Sequence, residues 1–239
     1  MLLYQRTPSM LLQEENNHTR RICSKLNSTE DLCFRRIINA LNNWSTADVR
    51  TVPFVMYQLR CGNDEHDETV EYQINWFIDC AETHIHNHRN SFETYCLEGQ
   101  YEEKIWKIID DNDGKFTYQF TRSADNTISK AKLIPGTLRH VTSRYHFPGN
   151  KMHVDTEHFH SVTPIIGSDK RVVTFLTKRK YSTPVDTSIL SSEPHFDPLN
   201  DQMRIATYDE RHHMYQKLLQ ILTTHQKAQW KQNWSDLQF

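Results

Sequence analysis

The sequence predicts a mainly β fold, an antiparallel sandwich or barrel with helical segments at both ends. From Val52 onward, short stretches rich in Val, Ile, Phe, Tyr and Trp alternate with polar segments, as expected for paired strands. The tetrad Asp111-Asn-Asp-Gly114 has the composition of a tight turn between two of these stretches. The two ends of the chain lack this alternation and show helical patterns instead. So many short strands in one chain indicate a sandwich or a barrel.

The N-terminal segment, residues 1–50, is predicted to be a helical extension. Ser28-Thr-Glu-Asp31 has the form of a helix start, and apolar residues follow it at helical spacing. Residues 51–180 are predicted to form the β-barrel. The candidate strands within it are 52–59, 70–80, 92–98, 101–109, 115–122, 137–146, 151–155, 157–164 and 171–178.

Residues 181–239 are predicted to hold a surface crossing followed by a C-terminal helix. The stretch 179–202 is rich in Ser, Pro, Thr and Asp, which favours irregular structure. From Asp209 to about Trp230 the apolar residues recur with a helical period, so we expect a helix that packs on the outside of the barrel.

Composition narrows the classes of function. The chain has 239 residues and a net charge of −2, so no summed positive field favours nucleic acid or anionic lipid as a partner. The five cysteines are widely spaced and match no zinc-finger pattern, which indicates reduced thiols. No run of eighteen apolar residues occurs, and a cytoplasmic protein without membrane contact is the default expectation. The fourteen histidines are the unusual feature of the composition, because imidazole is the commonest metal ligand and titrates near neutral pH, although most of them could lie on the surface.

Three histidines, His84, His86 and His88, alternate with other residues in one short segment. On a strand, His86 and His88 lie on one face, close enough for one metal ion to bridge them. His84 continues the same row and leaves open which two histidines form the pair. Glu93 and Tyr95 would join that face if the chain bends or bulges at residues 89–91.

This region resembles the first motif of the cupin superfamily, in which His-x-His is followed by Glu and then by Gly. Here His86-Asn-His88 is followed by Glu93 and by Gly99, although the glycine expected before the histidines is missing. The second cupin motif supplies a third histidine from a later strand. His160, in the sequence His-Ser-Val, resembles it, while His153 and His158 remain alternatives.

The resemblance implies a cupin-type jelly-roll barrel with one divalent metal held by His86, His88, Glu93 and His160. Among cupins, the sequence is most similar in pattern to the cysteine-dioxygenase-like branch, which implies a non-heme oxygenase that uses Fe(II). Ni, Mn, Cu and Zn suit the same ligands. A cupin isomerase or decarboxylase, or a non-catalytic cupin that senses or stores a small ligand, are the alternatives. The resemblance also implies a homodimer.

The remaining candidates concern a small-molecule substrate. An arginine can clamp a substrate carboxylate with two hydrogen bonds, and Arg144, Arg89 and Arg139 are the candidates. Aromatic side chains can form the wall of a ligand pocket, a role open to Tyr95, Tyr72 and Trp76.

Overall fold

The computed structural model describes residues 29–52, 55–78, 82–110, 114–123, 129, 131–165, 171–180, 186–193 and 203–236, with side chains up to residue 225. Two helices are described, α1 (Thr29–Asn42) and α2 (Tyr208–Asp236). The strands are β1 (Asp48–Val52), β2 (Met56–Asn63), β3 (Val70–Phe77), β4 (Ile85–His86), β5 (Phe92–Glu98), β6 (Tyr101–Ile109), β7 (Phe116–Arg122), β8 (Lys132–Pro135), β9 (Thr137–His146), β10 (Lys151–Val154), β11 (Phe159–Pro164), β12 (Val172–Arg179), β13 (Thr187–Ser191) and β14 (Arg204–Ile205).

In the described part of the chain these strands form two antiparallel sheets of seven strands each. Sheet I has the order β10-β5-β12-β3-β2-β1-β14, and sheet II has the order β8-β7-β13-β4-β11-β6-β9. Neighbours in both sheets are mostly distant in sequence, as in a jelly roll. This architecture, with a helix at each end, confirms the predicted cupin-type fold.

The central strands of sheet I, β3 and β12, are buried on both faces. On β3, Tyr72 and Ile74 point outward to the helices, and the alternate residues Gln73 and Asn75 point into a cavity between the sheets. The main apolar core therefore lies outside the barrel, between sheet I and the two helices. Its fully buried members include Cys33, Ile37, Leu59, Ile74, Val173, Met214 and Leu218.

The helices dock on sheet I through apolar faces and one partly buried ion pair. Helix α1 buries Cys33, Phe34, Ile37 and Leu41, and the Phe34 ring stacks on His225 of α2 with 3.6 Å between ring centroids.

The predicted helix start is confirmed, since α1 begins at Thr29; Ser28 lies outside the described residues. Neither helix, as far as the chain is described, is long and apolar enough to cross a membrane.

Lys217 of α2 donates to Glu98 of β5 at 2.6 Å, with the lysine side chain 1% exposed. The three thiols that the described residues contain, Cys33, Cys61 and Cys96, are free and buried, in agreement with the expected reduced state.

The strand pattern differs from expectation in the second half of the chain. The segment 179–202, expected as an irregular crossing, contains β13, which lies between β7 and β4 in sheet II. Its three central residues, Ser188, Ile189 and Leu190, are buried. Their packing stabilises a strand here although the surrounding sequence is polar. The stretches 101–109 and 137–146 are strands with the predicted bounds.

The turn at residues 111–114 does not close a hairpin. Strand β6 pairs with β9 and β11, and β7 pairs with β8 and β13, so the two strands that flank the tetrad are not neighbours. Residues 111–113 lie outside the described residues.

Candidate metal centre

Three histidines meet inside the barrel. His86 lies on β4, His88 follows it by two residues, and His160 lies on β11. Their possible ligand atoms all lie within 4.8 Å of one another, and no other cluster of this kind occurs among the described residues. The structure thus brings together three of the four residues that the sequence singles out.

The strand pairing explains how residues so distant in sequence meet. His86 stands opposite His160 on one side and opposite Ile189 of β13 on the other. Strand β4 has only two residues, and the side chain of Asn87 extends the ladder: its Oδ1 accepts from Ser188 N at 2.6 Å and its Nδ2 donates to Thr156 O at 3.2 Å. Asn87 thereby holds the chain where His88 leaves the strand.

Hydrogen bonds identify which ring nitrogen of two histidines is available to a ligand. His86 Nδ1 lies 2.7 Å from the carbonyl oxygen of His84, and His160 Nδ1 lies 2.6 Å from Oε1 of Glu103. A carbonyl and an ionised carboxylate only accept, so both Nδ1 atoms must carry the proton. In the neutral imidazoles this tautomer leaves the lone pair on Nε2, which is the form that binds a metal.

His88 completes the cluster from the opposite side. Its Nε2 lies 2.7 Å from Nε2 of His160, and its ring contacts Phe92 with 4.6 Å between centroids. If both Nε2 atoms carry lone pairs, they repel one another at this distance. Either a proton or a cation between them removes the repulsion. The donor set therefore fits a metal ion.

Glu103 is the functional residue that the sequence analysis missed. Its side chain is 2% exposed, and it shares the inward face of β6 with Tyr101 and Ile105. That apolar pattern is the signal that could have revealed it, because a glutamate between two core residues on one strand face needs a partner.

Neighbouring groups determine the charge of Glu103. Burial by itself raises the pKa of this carboxyl group, but His146 and the hydrogen bond with His160 outweigh burial and lower the pKa to about 2. The nearest atoms of His146 and Arg144 lie 3.6 Å and 3.8 Å from Oε2, beyond hydrogen-bond distance. Glu103 is therefore a buried carboxylate that holds the proton on His160 Nδ1.

The imidazoles of His86 and His88 are neutral at physiological pH. Burial, and secondly the neighbouring His160, lower the pKa of His86 to about 3. Burial, and secondly the electrostatic influence of neighbouring titratable groups, lower the pKa of His88 well below its ordinary value. Neutral imidazole is the metal-binding form, so no proton has to leave these rings at pH 7.

Glu93 and Tyr95 do not reach the cluster. The bend expected at residues 89–91 does not change the parity of β5, and Phe92, Thr94 and Cys96 are the buried, inward side chains. Glu93 is exposed on the outer face, opposite His153 of β10. Tyr95 points outward too, and packs against the core under the helices. The expected ligand set thus loses its glutamate in this structure.

The other candidates divide between the cavity and the surface. His84 lines the cavity and accepts a hydrogen bond from His86 through its backbone. His153 is exposed, and His158 is bound to Asp155 at 2.6 Å on the surface. These two do not join the cluster.

The proposed substrate-binding arginines lie on different sides of the barrel. Arg144 of β9 is half-exposed, outside the cavity, and its guanidinium lies 3.8 Å from Glu103. Arg89 does line the cavity and donates to the carbonyl oxygen of Ser123 at 2.7 Å.

A cavity of about 600 Å³ opens from the three histidines between the two sheets. Polar residues of sheet I form one of its walls, among them Gln73, Asn75 and Lys178. Burial lowers the pKa of Lys178 to about 8, so its ammonium group is still mostly charged at neutral pH. The cavity is large enough for a small organic molecule beside the histidines.

Comparison with known proteins gives structural likenesses only. No family model matches the chain, and no curated protein matches it. A cupin described as RmlC-like from Shewanella frigidimarina is 14% identical, with a TM-score of 0.33 over 58% of this chain and 87% of that chain. A cupin superfamily protein from Desulfitobacterium hafniense is 9% identical, with a TM-score of 0.29 over 53% of this chain and 78% of that chain.

A third matched structure, a DMSP lyase from Ruegeria pomeroyi, is 10% identical, with a TM-score of 0.34. The match covers 55% of this chain and half of that chain. Identities and TM-scores this low carry no argument about function, which rests on the geometry of the site. The jelly-roll assignment rests on the strand order of the two antiparallel sheets.

Proposed function

We propose that this chain is a metal-dependent cupin-type enzyme, and more specifically a non-heme iron oxygenase acting on a small polar substrate. His86, His88 and His160 are the proposed ligands. The observation that carries the proposal is their convergence within 4.8 Å at the edge of a cavity between the two sheets.

The chain's own residues have distinct tasks in this proposal. The three imidazoles provide the metal ligands, and the open side of the cluster faces the cavity, where substrate would lie. Glu103 fixes the ring of His160, and Asn87 fixes the chain before His88. A ferrous ion, when bound, supplies the redox chemistry with dioxygen, and the protein supplies binding and orientation.

Metal content tests the first half of the proposal. Protein purified without a His tag is analysed for bound metals, together with His86→Ala, His160→Ala and the control His153→Ala. We expect about one equivalent of metal in the wild type and in His153→Ala, and its loss in the other two variants. A wild type that binds no metal even after reconstitution would contradict the proposal.

Oxygen consumption tests the second half. Iron-loaded protein is mixed with a panel of thiols, amino acids and 2-oxo acids in an oxygen electrode, with His86→Ala as the inactive control. Substrate-dependent oxygen uptake that is absent from the variant supports an oxygenase. Full metal occupancy without oxygen uptake for any member of the panel argues against oxygenase chemistry and leaves a metal-dependent cupin of another kind.

A further inference from the structure

The cavity beside the histidines is lined by cations and not by carboxylates. Among the described residues that line it there is no Asp and no Glu. The basic side chains in the lining are those of Arg50, Arg60, Arg89, Arg122 and Lys178. A concave wall of one sign of charge concentrates ligands of the opposite sign.

Two of these basic side chains, Arg50 and Arg60, lie close to carboxylates that do not line the cavity. Arg50 lies 3.2 Å from Asp48, and Arg60 lies 3.7 Å from both Asp48 and Glu71. Their charges are thus largely balanced within the protein.

Lys178 differs from them in its surroundings. Among the described residues no carboxylate lies within 4.0 Å of its ammonium group, and the nearby Glu71 is engaged by Arg60 and Lys180.

Lys178 also stands next to the histidine cluster. On β12 it pairs directly with Phe92 of β5, and the ring of Phe92 contacts the ring of His88. Strand pairing therefore places Lys178 beside the residue whose ring contacts a proposed metal ligand.

A directional chain of hydrogen bonds leads away from Lys178 along the cavity wall. Lys178 Nζ donates to Oε1 of Gln73 at 2.5 Å, and Nε2 of Gln73 donates to Oδ1 of Asn75. Both amide oxygens are thus occupied by donors. An ammonium group has three donors and Gln73 takes one, so the wall presents N–H groups to the cavity.

A lysine in this position is costly to the fold without a counter-charge. An anionic ligand supplies that charge.

We infer that the cavity binds a small carboxylate-bearing molecule, with Lys178 holding the carboxylate and the rest of the molecule facing His86, His88 and His160. This inference rests on the proposed function, since it names the class of substrate for the same site. Lys178 is a binding residue in this scheme and not a metal ligand, so the two claims can be tested separately.

The experiment compares acids with their neutral amides. Malonate, succinate, glutarate and the corresponding diamides are titrated into metal-loaded and chelator-treated protein by calorimetry. At least one acid should bind about tenfold or more tightly than its diamide, and Lys178→Met should lose about tenfold or more of that affinity. Lys178→Arg, which keeps the charge, should retain part of it. Lys151→Met, an exposed lysine on β10, is the control and should bind like the wild type.

Metal content measured on the same samples separates the two claims. If Lys178→Met binds a full equivalent of metal and the acids bind no better than the diamides to any form, the anion inference is overturned and the metal site stands. If no form binds metal and the acids still distinguish wild type from Lys178→Met, the proposed enzyme fails and the anion site stands. Circular dichroism of each variant checks that the fold is intact.

Discussion

At the scale of single residues, Glu103 matters because it determines which nitrogen of His160 faces the cluster. A buried carboxylate with a 2.6 Å hydrogen bond to Nδ1 keeps the proton there and leaves Nε2 as the donor atom. The carboxylate also strengthens the imidazole as a metal ligand, because partial negative charge at Nδ1–H increases electron density on the ring. Without Glu103, His160 could exchange its two tautomers and rotate.

We expect Glu103→Gln to weaken metal binding by about 10- to 100-fold while the barrel still folds. The amide keeps nearly the same shape but has no charge to stabilise the protonated Nδ1. The dissociation constant is measured by competition with a chromogenic chelator. Glu102→Gln, on the other face of β6 where Glu102 accepts from Ser143, is the matched control. Equal affinity in wild type and Glu103→Gln would show that the carboxylate does not tune the site.

The tautomer itself can be observed. In nitrogen NMR spectra of labelled, metal-free protein, His160 should be protonated at Nδ1 in the wild type. A mixture of tautomers should appear in Glu103→Gln. A role for Glu103 in packing alone would leave the tautomer of His160 unchanged.

At the scale of elements, the register of β5 determines which of its side chains face the cavity. Strands β10 and β12 pair with it on either side, with Thr94 opposite Leu176 and Phe92 opposite Lys178. Because side chains alternate along a strand, a shift of one residue would exchange Phe92 and Thr94 for Glu93 and Tyr95 inside the cavity. Burial of the apolar inward face opposes that shift, so Glu93 stays outside.

The turn that ends β5 depends on Gly99. Its φ is +78°, and a Cβ at this position would collide with the backbone carbonyl oxygen of Arg171. Gly99→Ala should therefore lower the free energy of unfolding by about 2–4 kcal/mol, measured by urea denaturation. Gly62→Ala is the control, since φ is +81° there but a Cβ would meet nothing within 4 Å. Only the backbone cost of about 1 kcal/mol is expected for it, and equal losses in both variants would contradict the close contact at Gly99.

At the scale of the whole molecule, the sequence predicts the barrel and most of the histidine cluster but not the orientation of every side chain. The spacing of His86 and His88 predicts that they meet, although the strand ends at His86, and His160 is predicted from its resemblance to a motif. Glu93 fails because the supposed bend after His88 depends on contacts with sheet I that no local pattern reveals. Glu103 and Lys178 belong to strands that the sequence does predict. Their roles depend on strand order, which brings β6 beside β11 and β12 beside β5.

The histidine cluster also links the stability of the whole fold to pH. In the unfolded chain the imidazole of His86 has its ordinary pKa of 6.5, and in the folded, metal-free protein the pKa is about 3. Between these values the unfolded chain binds more protons, so the free energy of unfolding falls as the pH falls. The contribution of His86 is complete above pH 6.5 and is lost progressively toward pH 3.

We expect this to appear as a difference between wild type and His86→Leu, both kept metal-free with a chelator. In urea denaturation, the stability of the wild type relative to the variant should fall by roughly 1–2 kcal/mol between about pH 7 and about pH 4.5. His153→Leu removes an exposed histidine on β10 and should follow the wild type. Parallel pH profiles for wild type and His86→Leu would mean that His86 is not held neutral in the barrel. Saturating metal should steepen the profile of the wild type alone, because protons and metal compete for the same three nitrogens.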